Sequence, residues 1–187
     1  MAPRREQILD AAIQVLGTGG SRGLTHRAVD EAAGVPIGST SNYFRSREAL
    51  ITGIVARLEA RDYEDFARVS PAPTSGSVAG LSRILAQLVI IATTTDRVRT
   101  QARYALFVEA ATAEADSEIV GSIQRSRHQL ARWCRSILTD LGATEPARST
   151  RLLVDFMDGM ILHQLTGSKP SLATIRRDLA AFLGSLL

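Results

Sequence analysis

Residues 23–50, GLTHRAVDEAAGVPIGSTSNYFRSREAL, carry the pattern that decides the fold. They read as two short helices about a tight turn. Thr25 is a suitable N-cap, and Ala28, Val29, Ala32 and Ala33 follow it as an apolar stripe at helical spacing. Gly34 stands where the first helix ends, a position that wants left-handed backbone and no Cβ. Pro36 opens the next segment with φ already fixed and no N–H to leave unpaired. On a 3.6-residue wheel Ile37, Thr40 and Phe44 share an inward face. Gly38, Ser39, Asn42 and Tyr43 lie opposite, with Ser41 at the flank. That outer face is small, hydroxylic and amide-bearing, which suits close approach to a DNA major groove.

Within such a face, phosphate contacts position the protein and only groove contacts give sequence preference. The Asn42 carboxamide has the donor and acceptor to bond adenine N6 and N7 together, and Ser39 projects beside it toward base edges. The hydroxyls of Thr25 and Tyr43 are long enough to reach phosphate oxygens. Arg47 follows a second candidate cap, Ser46, so its charge shares a helix N-terminus with exposed N–H groups, a natural phosphate seat. His26 reads as a surface residue. Arg4 and Arg5 open the first helix, where the dipole disfavours cations; they read either as a solvated tail or as an arm that meets phosphates.

Composition frames these readings without deciding them. The 187 residues are 45% hydrophobic and 22% charged, ordinary for a globular chain with a sizeable core. Aromatics are only 5%, Ala and Leu abound, and β-branched residues never alternate, so the fold class expected is all-α. All but one of the 22 basic residues are Arg, yet the net charge is only +3. Residues 1–50 are nearly balanced, six Arg against five acids, so any DNA affinity must come from placement. A single cysteine, Cys134, rules out an intramolecular disulfide and fits a reducing cytoplasm. The start, MAPRREQILD, has no apolar signal-like region, and no run approaches the roughly 20 apolar residues of a membrane span. A cytoplasmic protein with no membrane partner is expected.

Residues 5–50 resemble the DNA-binding domain of TetR-type (tetracycline-repressor-type) bacterial regulators. The resemblance rests on Ile8-Leu9-Asp10-Ala11-Ala12, Gly20, Leu24-Thr25, Ala33-Gly34-Val35, Gly38-Ser39, Phe44 and Ser46-Arg47-Glu48-Ala49-Leu50. The chain departs from the family where Ser41 replaces a usual Tyr and Tyr43 a frequent His. The resemblance implies a helix-turn-helix with DNA contacts at Thr25, Arg27, Gly38, Ser39, Ser41, Asn42, Tyr43 and Arg47. It also implies a transcriptional regulator, most often a repressor, that leaves a palindromic operator on double-stranded DNA when a small-molecule effector binds. The implied domains are residues 1–48, the helix-turn-helix, and 49–187, a helical ligand-binding and dimerisation domain.

Beyond residue 46 the pattern stays helical. Helix 4 starts at Ser46 with Leu50, Ile51, Ile54, Val55 and Leu58 on one side, and Ser70 to Ser77 is a Pro- and Ser-rich loop. Five amphipathic segments follow, making about nine helices in all. The sixth should bury Val98, Ala102, Ala105 and Val108; Asp116 or Ser117 should cap the seventh; Pro146 opens the eighth and Ser171 caps the ninth. Helices 8 and 9 offer more apolar surface than one copy needs, and the resemblance implies a homodimer through these two, with Gly159 permitting close approach. A two-fold dimer also fits a palindromic site.

In such regulators the inducer sits within the bundle. Leu88, Arg103, Tyr104, Phe107, Trp133, Phe156, Met160 and His163 are the candidate lining, with Asp155 or Asp158 available to pair with Arg103 or hold a cationic ligand. Taken alone, such a stripe is more often plain core. Nothing points to catalysis or a cofactor: there is no Gly-x-Ser-x-Gly, phosphate loop, Cys-x-x-Cys or His-Glu-x-x-His. The three histidines lack metal-ligand spacing. The competing expectation is a helical adaptor whose helix-turn-helix is only structural, supported by the near-neutral residues 1–50 and by Ser41.

Overall fold

Helix follows helix wherever the apolar residues recur at 3.6 spacing. In the computed structural model, which describes residues 4–69, 76–115, 117–167 and 170–187, nine helices are formed among the described residues. They are α1 (Arg4–Gly23), α2 (His26–Ala33), α3 (Ser39–Tyr43), α4 (Arg47–Val69), α5 (Val78–Thr93), α6 (Arg97–Thr112), α7 (Glu118–Asp140), α8 (Pro146–Thr166) and α9 (Leu172–Gly184). The all-α reading holds. Residues 70–75 of the expected loop, and Asp116 as a cap, lie outside the described residues; Ser117 does accept the Val120 N–H at 3.4 Å.

Local rules account for the helix ends. Thr25 is extended and accepts the Ala28 N–H at 3.1 Å, Ser46 accepts that of Ala49 at 3.1 Å, and Ser171 that of Thr174 at 3.2 Å. Gly34 closes α2 at φ 63, ψ 36, the left-handed cap its position demanded. The first helix continues past Gly17 and breaks at Gly20 (φ 65) before one more turn.

The helices form two compact units that are not consecutive in sequence. The first comprises residues 1–62 and 98–126, the second residues 63–97 and 127–187. In the first, Ile8, Leu9, Leu16, Val29, Phe44, Leu50, Ile51 and Ile54 are buried together with Ala102 and Leu106 of α6. Each such aliphatic or aromatic side chain contributes about 1.5–3 kcal/mol of burial. The Phe44 ring fits only because residue 53 lacks a side chain: a Cβ there would lie 2.7 Å from Phe44 Cε1 and 2.9 Å from Leu9. Arg57 (α4) clamps Asp10 (α1) through both carboxylate oxygens at 2.8 and 2.9 Å, and Arg61 adds a third bond at 3.2 Å. In the second unit, Leu81, Leu85 and Val89 of α5 pack with Ile175, Leu179 and Leu183 of α9, joined by Leu138 and Leu153.

Two side chains depart from the wheel. Ile37 is 76% exposed, because α3 begins only at Ser39 and Ile37 lies in the turn before it. Val108 is likewise exposed; the buried face of α6 is Thr100, Ala102 and Leu106, set by where α6 packs in the first unit rather than by its apolar stripe.

Candidate nucleic-acid interface

A helix of five residues has no stability of its own, so α3 must be held by its surroundings. The holding group is Asp30, which is 1% exposed on α2. Its Oδ2 accepts the Gly38 N–H at 2.7 Å, while Oδ1 accepts both the Thr40 N–H at 2.7 Å and the Thr40 hydroxyl at 2.5 Å. Burial pushes this carboxyl up, but the Thr40 and Gly38 bonds, with nearby His26, more than offset it and leave the group below its ordinary value. At the other end of α3, His26 Nε2–H donates to the Phe44 carbonyl at 2.7 Å. The α2 C-terminus is tied to α1 by Gln7, whose Nε2 donates to the Ala33 carbonyl at 2.8 Å. Asp30 is the residue that sequence reading missed; Thr40 reads only as inward-facing, and His26, read as a surface residue, is half-buried and bonded to Phe44. An Asp eight residues before a Gly that precedes a buried Thr is the only trace the Asp30 bonds leave in sequence.

Pinned from behind, α3 turns Ser41, Asn42 and Tyr43 outward, all exposed. Gly38 sits at its start with φ 92. Ser39 is half-buried and its hydroxyl donates to the Pro36 carbonyl at 2.6 Å, so it faces the neighbouring groups as an acceptor only. Thr25 is exposed; as an N-cap its oxygen accepts, which leaves its proton to donate. Arg27 is exposed and paired with Glu31 at 3.1 Å across one helical turn, a link worth at most about 0.5 kcal/mol and easily exchanged for a phosphate. Ile37, in the turn before α3, is exposed as well.

Arg47 is placed otherwise than expected. Its guanidinium donates to the Leu24 carbonyl at 2.8 Å, the Ser21 carbonyl at 3.0 Å, the Ser21 hydroxyl at 2.7 Å and Glu109 of α6 at 3.0 and 3.1 Å. Ser21 also donates to Glu109. Its charge and planar fork tie α4 to the end of α1 and to α6. Arg45, two residues earlier, is exposed and has no ion-pair partner among the described residues. Arg5 lies with its guanidinium 5.2 Å from the centroid of the Phe44 ring.

The eight candidate ligand-lining residues are divided between the units. Arg103, Tyr104 and Phe107 belong to the first, where Arg103 meets Asp62 at 2.6 and 2.7 Å, and Tyr104 stacks edge-on against Phe107 at 5.8 Å. In the second, Trp133 meets Phe66 edge-on at 4.1 Å and Leu88 packs on the core. Phe156, Met160 and His163 line an open groove between α8 and α9. Asp158 faces Arg127 at 3.5 Å. Cys134 is half-buried, and burial pushes its thiol up to about 11. Among the described residues no three His, Cys, Asp or Glu side chains gather as a metal site, and no single helix is long and apolar enough to cross a membrane.

Two short helices about a tight turn, the second with its polar residues facing solvent, are the geometry of a helix-turn-helix. Known proteins agree with it. Residues 8–54 match the profile described as "Bacterial regulatory proteins, tetR family", and residues 76–187 match "Tetracyclin repressor-like, C-terminal domain". The chain belongs to the TetR family of transcriptional regulators, with the DNA-binding domain N-terminal and a helical domain C-terminal. A TetR-family member from Streptomyces coelicolor A3 is similar at 27% identity over 96% of this chain and 97% of that one, TM-score 0.70. The multidrug binding protein EbrR, complexed with ethidium, is similar at 27% over 96% and 98%, TM-score 0.70. A TetR-family regulator from Rhodococcus sp. shares the fold at 17% over 100% and 99%, TM-score 0.76. No curated protein matches the chain.

Proposed function

We propose that this TetR-family regulator is a cytoplasmic repressor. It holds a palindromic operator as a homodimer through α8 and α9, and leaves it when a small molecule binds the C-terminal helices. The observation that carries the DNA reading is the Asp30 brace, which fixes a five-residue helix with its polar face bare. Asn42 reads a base edge, and Ile37, exposed in the turn before α3, meets thymine methyls. Thr25, Arg27 and Tyr43 contact phosphates, joined by Arg45 in place of Arg47. Gly38, Ser39 and Ser41 keep the backbone close to the groove floor.

The effector is a small organic molecule. EbrR, 27% identical, is complexed with ethidium, so flat aromatic cations are the first class to test. The chain carries out no catalysis in this reading. A ligand that favours one of two states shifts the equilibrium only by its differential affinity, and a few kcal/mol suffices. The test is binding to the promoter region beside the gene across a salt titration. A sequence-preferring complex whose affinity falls steeply with salt, and which aromatic cations dissociate, is expected. Equal affinity for operator and random duplex would overturn the DNA reading.

A further inference from the structure

The groove between α8 and α9 has a built interior behind its open mouth. Two rows of side chains run along α8, each at a spacing of four residues, which keeps a row on one side of the helix. Asp155, Gly159 and His163 form the rim. Phe156, Met160 and Gln164 lie one position further round, with Ile175 of α9 opposite. The space they line is about 520 Å³, within the range of small-molecule sites. Gly159 leaves the mouth clear, since a Cβ built there would meet nothing within 4 Å.

Gln164 is the group that packing does not explain. It is 4% exposed, yet neither its Oε1 nor its Nε2 has a hydrogen-bond partner among the described residues. A buried carboxamide is nearly always bonded, because an unpaired atom keeps its full desolvation penalty. This one lies on the groove wall, so the groove is the side from which a donor and an acceptor reach it.

Charge narrows the kind of molecule. Asp155 and Asp178 are exposed on the two sides of the groove, and no Lys or Arg lines it among the described residues. Asp178 holds its sequence neighbour Arg177 at 3.4 Å, an exposed pair that a better-placed cation displaces at little cost. Phe156 is stacked on Phe182 of α9, centroids 4.1 Å apart and planes 11° from parallel, which fixes its ring at the inner row. The Met160 thioether beside it adapts to aromatic surfaces of varied outline.

We infer that this groove binds an aromatic cation that carries both an N–H donor and a carbonyl acceptor. Its rings lie against Phe156, Met160 and Ile175, its polar groups pair with Gln164, and its charge sits between Asp155 and Asp178. This rests on the effector reading above and gives that effector a site and a mode of action. The groove opens on the two helices of the homodimer reading, so the cation and a second copy compete for one face. Operator release then follows from loss of the dimer.

The test uses the full chain without DNA, because aromatic cations also intercalate. Rhodamine 123, which has ring amino groups, a positive charge and an ester carbonyl, is titrated by fluorescence anisotropy, with sedimentation at the same concentrations. Saturable binding and a shift from dimer toward monomer are expected. Gln164→Leu should weaken binding at least tenfold while the melting temperature of the free protein holds or rises, since an unpaired carboxamide gives way to an apolar group. Asp155→Asn combined with Asp178→Asn, both at exposed positions, should also weaken binding at least tenfold. Absence of binding, or binding that both variants leave unchanged, overturns the groove as the site. A lowered melting temperature in Gln164→Leu with binding retained shows that carboxamide to be structural and overturns its role. Binding that leaves the dimer intact, or a chain already monomeric without the dye, overturns the competition. Operator release by aromatic cations that persists in both groove variants leaves the effector reading standing and overturns this site alone.

Discussion

Asp30 and Thr40 are bonded twice through one oxygen: Oδ1 takes the Thr40 N–H at 2.7 Å and its hydroxyl at 2.5 Å. This pair, both members almost wholly out of solvent, is what makes α3 a rigid reading head rather than a frayed turn. Asp30→Ala leaves two backbone N–H groups and a hydroxyl without their acceptor. The expected loss is about 3 kcal/mol in urea unfolding, with specific DNA binding lost alongside. Asp30→Asn retains one acceptor oxygen and should fall between. An Asp30→Ala protein within about 0.5 kcal/mol of the parent would show that α3 is held by something else.

Arg45 and Arg47 stand two residues apart and are expected to fail differently. Arg47→Ala removes bonds to Leu24, Ser21 and Glu109, and should cost about 2 kcal/mol of stability while leaving the salt dependence of DNA binding unchanged. Arg45→Ala should leave the melting temperature alone and flatten the slope of log affinity against log salt by about 0.9 for each phosphate no longer neutralised. Salt-titrated fluorescence anisotropy with a parallel thermal melt checks both. A flattened slope in Arg47→Ala with an unchanged melt would restore its assignment to phosphate.

The helices are legible in the sequence because each leaves a local mark: Thr25 and Gly34 as caps, Pro36 after the turn, the stripe on α4. The exposed Asn42 and Tyr43 are legible for the same reason, since outward placement on a short helix follows from spacing. What spacing does not encode is a partner far along the chain. Arg47 reads as a phosphate ligand because its position in sequence is next to a cap, yet Glu109, 62 residues later, takes its charge. Asp30 reads as one more helix charge, and only the fold brings Gly38 and Thr40 to it. Ile37 is misplaced by a helical wheel that starts at the turn, because α3 begins only at Ser39.

Base preference should reside in two side chains of unlike chemistry. Asn42→Ala is expected to relax discrimination at one operator position by about 1–3 kcal/mol while non-specific binding stays as it was. Ile37→Ala should instead lower the preference for thymine over cytosine at a neighbouring position, since an apolar side chain distinguishes only the methyl group. Affinity measured on a set of single-base operator variants separates the two effects. Loss of specific and random duplex in the same proportion would mean that neither residue reads sequence.

Acid should loosen the DNA-binding unit in a defined window. Burial raises the Asp10 carboxyl, but hydrogen bonds and charge from Arg57 and Arg61 together bring it below its ordinary value of 3.8, and Asp30 is lowered in the same sense. A carboxyl whose folded value lies below its unfolded one contributes stability that is fully present above the unfolded value. That contribution is lost as pH falls through the folded one. The contribution of these two groups should therefore be flat from neutral pH down to about 5 and disappear below 3.8. Arg57→Met removes the largest bonded partner of Asp10 and should reduce both the stability at pH 7 and the steepness of the acid loss. Urea unfolding at a series of pH values measures it, and an unchanged acid profile in Arg57→Met would show that the Asp10 pair does not drive the transition.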